Sequence, residues 1–116
     1  MRIAIIGSRG ICPENLGDYV TECDEVVSGG AVGTDTYAGE YAKERGIKLT
    51  VFLPDYSRYG RAAPIVRNKK IVDYADKIIA FWDGCSRGTR SVINYAKKAN
   101  KPCTVIITNT NEKKGP

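Results

Sequence analysis

Short, β-branched apolar runs recur along the chain between stretches whose apolar residues fall three and four apart. That alternation is expected of a parallel sheet whose strands are buried on both faces and joined by helices. The runs predict strands at Arg2–Ile6, Glu25–Ser28, Lys48–Leu53, Lys77–Trp82 and Thr104–Ile107. Between them, Thr34–Arg45 places Tyr37, Ala38, Tyr41 and Ala42 on one helical face and stops at Gly46. Pro64–Ala75 carries proline in its first turn and stripes Ile65, Ile71, Val72 and Ala75. Gly88–Ala99 stripes Val92, Ile93 and Ala96 and ends ahead of Pro102. A short helix is also expected within Glu14–Cys23. Together these elements predict the α/β class: a Rossmann-like three-layer sandwich with a mostly parallel five-stranded sheet, its helices on both faces as right-handed crossovers require.

Length and composition narrow this only a little. At 116 residues there is room for one domain, expected over residues 1–108, with a polar tail over 109–116. No stretch is long and apolar enough for a bilayer span, and the apolar start is too short for a signal peptide, so a cytoplasmic location is expected. The cysteines, Cys12, Cys23, Cys85 and Cys103, form no Cys-x-x-Cys pair, and the chain has no histidine. That composition excludes a zinc finger, a His-ligated metal and a His general base. No metal and no cofactor is expected, and the thiols read as small buried or half-buried side chains. The net charge of +5 suits an anionic ligand. The basic residues read as scattered apart from the tail, so nucleic acid is not the expected partner.

In a sheet of this kind ligands sit at the carboxyl ends of the strands, which directs attention to the turns that follow them. Two turns share a grammar, glycines followed by Gly-Thr at the mouth of a helix: Gly29-Gly30-Ala31-Val32-Gly33-Thr34 and Gly84-Cys85-Ser86-Arg87-Gly88-Thr89. Gly7-Ser8-Arg9 lies beside them after the first strand. Glycine lets backbone approach a ligand, and the N–H groups and dipole of a helix's first turn attract an anion. Thr34 and Thr89 then either donate a hydroxyl or cap their helices. The first turn is not G-x-G-x-x-G, the second strand ends without the acidic residue a dinucleotide ribose requires, and no Walker A loop is present. An NAD dehydrogenase and a P-loop NTPase are thereby excluded.

The connection Pro54–Ala63 is long for an α/β unit and rich in Tyr and Arg. Arg58 and Arg61 read either as a phosphate clamp or as solvated loop residues. Asn68 shares the apolar stripe of its helix near the helix start, where a polar amide needs a partner, and the Arg67-Asn68 pair is a candidate for ligand contact. Trp82 reads as a stacking platform or as core. Asp83 reads as a general base, a ribose hydroxyl acceptor or a turn-former.

Ser28-Gly29-Gly30-Ala31-Val32-Gly33-Thr34-Asp35, Arg67-Asn68, and the run Ala75–Gly84 continuing into Ser86-Arg87-Gly88-Thr89 resemble the SLOG superfamily, close to its YspA-type proteins. With Gly7-Ser8-Arg9 the resemblance covers nearly the whole chain. It implies a ligand held over the glycine turns, and self-association as a homo-oligomer, a dimer in the simplest case. The superfamily includes the lonely-guy phosphoribohydrolases and DprA. In the phosphoribohydrolases an arginine early in a helix and a Gly-Thr-x-x-Glu motif act on an N-glycosidic bond. Arg67 matches the arginine, whereas Gly88-Thr89-Arg90-Ser91-Val92 puts valine in the place of the glutamate. Valine neither moves a proton nor stabilises an oxocarbenium ion.

The reading that follows is binding or sensing of a nucleotide-derived phosphate ligand. Its contacts are expected from Gly7, Ser8, Arg9, Gly29, Gly30, Gly33, Thr34, Asp35, Arg67, Asn68, Trp82, Asp83, Gly84, Ser86, Arg87, Gly88 and Thr89. The alternatives are an N-glycosidase using Asp83 or Asp35, with Arg67 a further catalytic candidate, and DprA-like nucleic-acid binding.

Overall fold

The computed structural model of the protein describes residues 1–7, 20, 23–29 and 34–108, the side chains of 34–36 apart. The helix expected within Glu14–Cys23 and the tail at 109–116 lie outside the described residues. Five strands form one sheet: β1 (Arg2–Gly7), β2 (Glu25–Ser28), β3 (Lys48–Val51), β4 (Lys77–Trp82) and β5 (Cys103–Ile107). All pairings are parallel and the order is β3-β2-β1-β4-β5. The long helices are α1 (Thr34–Arg45), α3 (Ala63–Tyr74) and α4 (Arg87–Lys98).

Successive side chains of a strand point to opposite faces, and the central strand divides its residues accordingly. Ile3 and Ile5 of β1 pack with Val26, Ile79, Phe81 and with Ala38 and Ala42 of α1. Ala4 and Ile6 face the other way, onto Val27, Ile78 and Ala80 with Ile71 and Val72 of α3 and Val92, Ile93 and Ala96 of α4. The two cores make the three-layer α/β sandwich that the apolar pattern predicts. Ile3, Ile5, Ile78 and Ile79 are fully buried, each worth roughly 1.5–3 kcal/mol in apolar surface removed from water.

The apolar stripe of α3 departs from expectation at its start. Asn68, Ile71, Val72 and Ala75 are buried, but Ile65 is half exposed. In that first turn Ala63 is the buried apolar residue instead. The connection expected as an irregular loop is ordered as a four-residue helix, α2 (Tyr56–Tyr59), followed by a 3-10 turn at Gly60–Ala62. Asp55 starts α2: its carboxylate accepts from Ser57 Oγ at 2.7 Å and from the Arg58 amide at 3.2 Å. Those bonds, the Ser57 hydroxyl first, hold the Asp55 carboxyl below its ordinary range.

At the amino-terminal end of the sheet, Glu25 is the most buried carboxylate among the described residues. It accepts from Thr50 Oγ1 and from the Tyr74 hydroxyl, both at 2.5 Å, with the Lys48 ammonium 3.8 Å away. The Thr50 bond, the Tyr74 bond and the nearby cations pull its pKa down. Arg2 stacks on the Tyr74 ring at 4.4 Å and reaches Asp76 at 3.7 Å. This end of the molecule is a closed network. No helix among the described residues is long and apolar enough to cross a membrane.

Candidate functional site

The strand order reverses between β1 and β4, since the chain moves outward through β2 and β3 and then returns to the other side for β4 and β5. Such a switch point leaves a crevice at the carboxyl ends. Here it contains a cavity of about 150 Å³ whose described lining is Ile6 and Gly7 of β1, Gly29 after β2, Arg67, Asn68 and Ile71 of α3, and Ser86, Gly88, Thr89 and Val92 at the start of α4. Segments far apart in sequence thus meet at one point. Gly7, Gly29, Arg67, Asn68, Ser86, Gly88 and Thr89 are all expected site residues. Ser8, Arg9, Gly30 and Gly33 lie outside the described residues, as do the side chains of Thr34 and Asp35.

Arg67 and Asn68 form the polar wall on the α3 side. The Arg67 Nε donates to Asn68 Oδ1 at 2.8 Å and one terminal nitrogen donates to the Gly29 carbonyl at 2.7 Å. Asn68 is 8% exposed, so the amide that needed a partner finds it in the neighbouring guanidinium. A guanidinium carries five donors in a fixed plane. These two bonds set that plane and tie α3 to the end of β2.

The wall opposite is the first turn of α4. Its entry is built by Asp83, whose Oδ1 accepts from the Cys85 amide at 2.8 Å and the Ser86 amide at 2.7 Å. Gly84 between them has φ +85°, a conformation that costs other residues about 1–2 kcal/mol. Trp82 Nε1 donates to the Ser86 carbonyl at 3.0 Å, and Ser86 Oγ donates to Thr89 Oγ1 at 3.3 Å. Trp82 also packs against the α3 and α4 core, with the Arg90 guanidinium 5.5 Å from its ring centroid. Of the roles open to Asp83 and Trp82, the geometry displays the structural ones: both fix the turn. Trp82, Asp83, Gly84 and Arg87 are not among the described residues lining the cavity.

The first turn of α4, the positive end of its helix dipole, thus lines the crevice through Ser86, Gly88 and Thr89. A Cβ built on Gly88 meets nothing within 4 Å, so the space it would fill is open. Val92 is 2% exposed and lines the cavity with Ile6 and Ile71, an apolar floor. Ile6 and Ile71 were not candidate site residues, although their places, before Gly7 and three residues after Asn68, were a usable signal. Cys23 and Cys103 are half-buried with thiols pushed up chiefly by burial, while Cys85 is exposed, contrary to expectation. Among the described residues no group of three His, Cys, Asp or Glu side chains gathers to hold a metal.

No family model matches the chain. A segment of 32 residues is 47% identical to the uncharacterised SPbeta prophage-derived protein YoqJ of Bacillus subtilis (strain 168), covering 28% of this chain and 19% of that protein. Over 83 residues the chain is 37% identical to the Gene 61 protein of Mycobacterium phage D29, covering 66% of each. The chain therefore matches about a fifth of the first protein's length and 66% of the second's. No solved structure matches the chain.

Proposed function

We propose that the chain binds a nucleotide-derived, phosphate-bearing ligand in the crevice between β1, β2 and the starts of α3 and α4, without breaking its glycosidic bond. The observation that carries this reading is the meeting of Gly7, Gly29, Arg67, Ser86, Gly88 and Thr89 around one cavity. An anion placed there meets helix-start amides on one side and a pinned guanidinium on the other, the two commonest devices for holding phosphate. The cavity, about 150 Å³, is smaller than the roughly 300–1,000 Å³ of pockets that enclose whole organic ligands. It suits a phosphate with its sugar, the base extending outward. The motifs through which the chain resembles the SLOG superfamily supply most of this lining, and membership of that superfamily is part of the proposal.

Binding without hydrolysis is supported by Val92 in the cavity wall and by Asp83 Oδ1, which is engaged by two amides. The test is mass spectrometry of small molecules that co-purify with the protein, followed by thermal-shift titration with nucleoside mono- and diphosphates. Stabilisation that saturates, with no free base released over hours, is expected. Absence of stabilisation by every member of such a panel would exclude the reading, and base release lost in Asp83→Asn would replace it with an N-glycosidase.

A further inference from the structure

The net positive charge of this chain arises in one segment of it. Of its 18 Lys and Arg, five (Arg87, Arg90, Lys97, Lys98 and Lys101) lie within residues 84–111, a segment with no Asp or Glu, and the other 13 match the chain's 13 acidic residues. The fold then sorts these five. Lys101 turns inward, donating to the Asp73 and Ala75 carbonyls at the end of α3. Val92, Ile93 and Ala96 bury the inner face of α4, and the opposite face presents Arg87, Arg90, Ser91, Asn94 and Lys98. These follow one another at i, i+3, i+4, i+7 and i+11, a single stripe about 16 Å long at 1.5 Å per residue. With Tyr95 they line an open groove of about 600 Å³, several times the volume of the cavity at the strand ends.

We infer that this outer face of α4 is a docking surface for single-stranded nucleic acid. The groove is elongated and cationic, the form a sugar–phosphate backbone requires. It also holds an aromatic ring and an amide side chain, Tyr95 and Asn94, the groups that stack on bases and reach their edges. The Tyr95 hydroxyl is anchored on Asp73 Oδ1 at 3.0 Å, and Lys69 stands 5.8 Å from the ring centroid, which adds a cation to the rim. A membrane surface is the poorer partner, because Ser91 and Asn94 occupy the middle of the stripe where an interfacial helix would insert apolar side chains.

The test is fluorescence anisotropy with a labelled 20-nucleotide deoxythymidine strand. With about three phosphates neutralised, the single-strand slope of roughly −0.7 per contact makes binding about 15- to 20-fold weaker between 50 and 200 mM salt. N94E/K98E, at the end of the stripe away from the crevice, is expected to weaken binding at 50 mM salt more than tenfold while leaving the thermal response to adenosine 5′-monophosphate unchanged. K98Q, which removes charge without adding repulsion, is expected to weaken binding on a smaller scale should the first variant fold poorly. Unchanged affinity in these variants, a flat salt response of the native protein, no saturable binding at 50 mM salt, or equal competition by poly-glutamate would each overturn it. Loss of the nucleotide response with oligonucleotide binding intact would instead count against the crevice and leave this surface standing.

Discussion

Gly88→Ala separates a structural role for the second glycine turn from a ligand-binding one. Gly88 lies in the first turn of α4, its φ is not positive, and a methyl group there would meet nothing within 4 Å. The folded protein therefore gains a better helix former without strain, worth about 0.5–1 kcal/mol. For a domain near 100 residues that raises Tm by roughly 2–6 °C. Yet Gly88 lines the cavity, and on the proposed reading a methyl group there crowds the amides that hold phosphate. Displacing the anion from one charge-assisted hydrogen bond costs about 1.5–3 kcal/mol, or some 10- to 150-fold in affinity. Differential scanning calorimetry of the free protein and isothermal titration with the best nucleotide of the panel measure the two effects separately. A variant that is more stable and binds as tightly as the native protein would refute the reasoning, because the glycine would then serve no ligand.

Other substitutions probe the remaining walls. Asn68→Asp keeps the shape of the side chain that anchors Arg67 but adds a charge, and in a cavity this small the anion would lie roughly 6 Å away, a repulsion of about 2–3 kcal/mol at an effective dielectric near 20. Titration calorimetry should show affinity falling about 100-fold with Tm little changed. Asp83→Ala removes the acceptor of the Cys85 and Ser86 amides and should cost about 1–2 kcal/mol in denaturant titration, whereas Asp83→Asn should cost less. Glu25 has its pKa lowered in the folded state, so its contribution is present above the unfolded value of about 4.3 and fades as pH falls through the folded one. Guanidinium melts between pH 3 and 7 should therefore show a steeper acid loss in the native protein than in Glu25→Gln.

What the sequence disclosed and what it concealed divide along physical lines. β1 and β4 are legible because Ile3–Ile6 and Ile78–Phe81 are continuous β-branched or apolar runs, buried on both faces. The partnership of Arg67 with Asn68 could be suspected from a polar amide on an apolar stripe, but the Gly29 carbonyl as its second acceptor depends on how β2 and α3 are brought together. Glu25 with Thr50 and Tyr74 is concealed for the same reason, since three elements converge there. Asp55 followed by Ser57 and Arg58 did carry a local helix-start signal, and it explains why the Tyr/Arg connection is helical. The basic residues of α4 read as scattered along the sequence and become a stripe only once the helix is formed with Val92, Ile93 and Ala96 facing inward.

The central claim is that the start of α4 and the Arg67 guanidinium hold one anion in the crevice lined by Gly7 and Gly29, and amide-resolved nuclear magnetic resonance tests it most directly. On titrating adenosine 5′-monophosphate or the best ligand of the panel, the Gly7, Gly29, Gly88 and Thr89 amide resonances should move together along one saturating isotherm. Resonances that stay in place, or shifts confined to the outer face of α4, would contradict it.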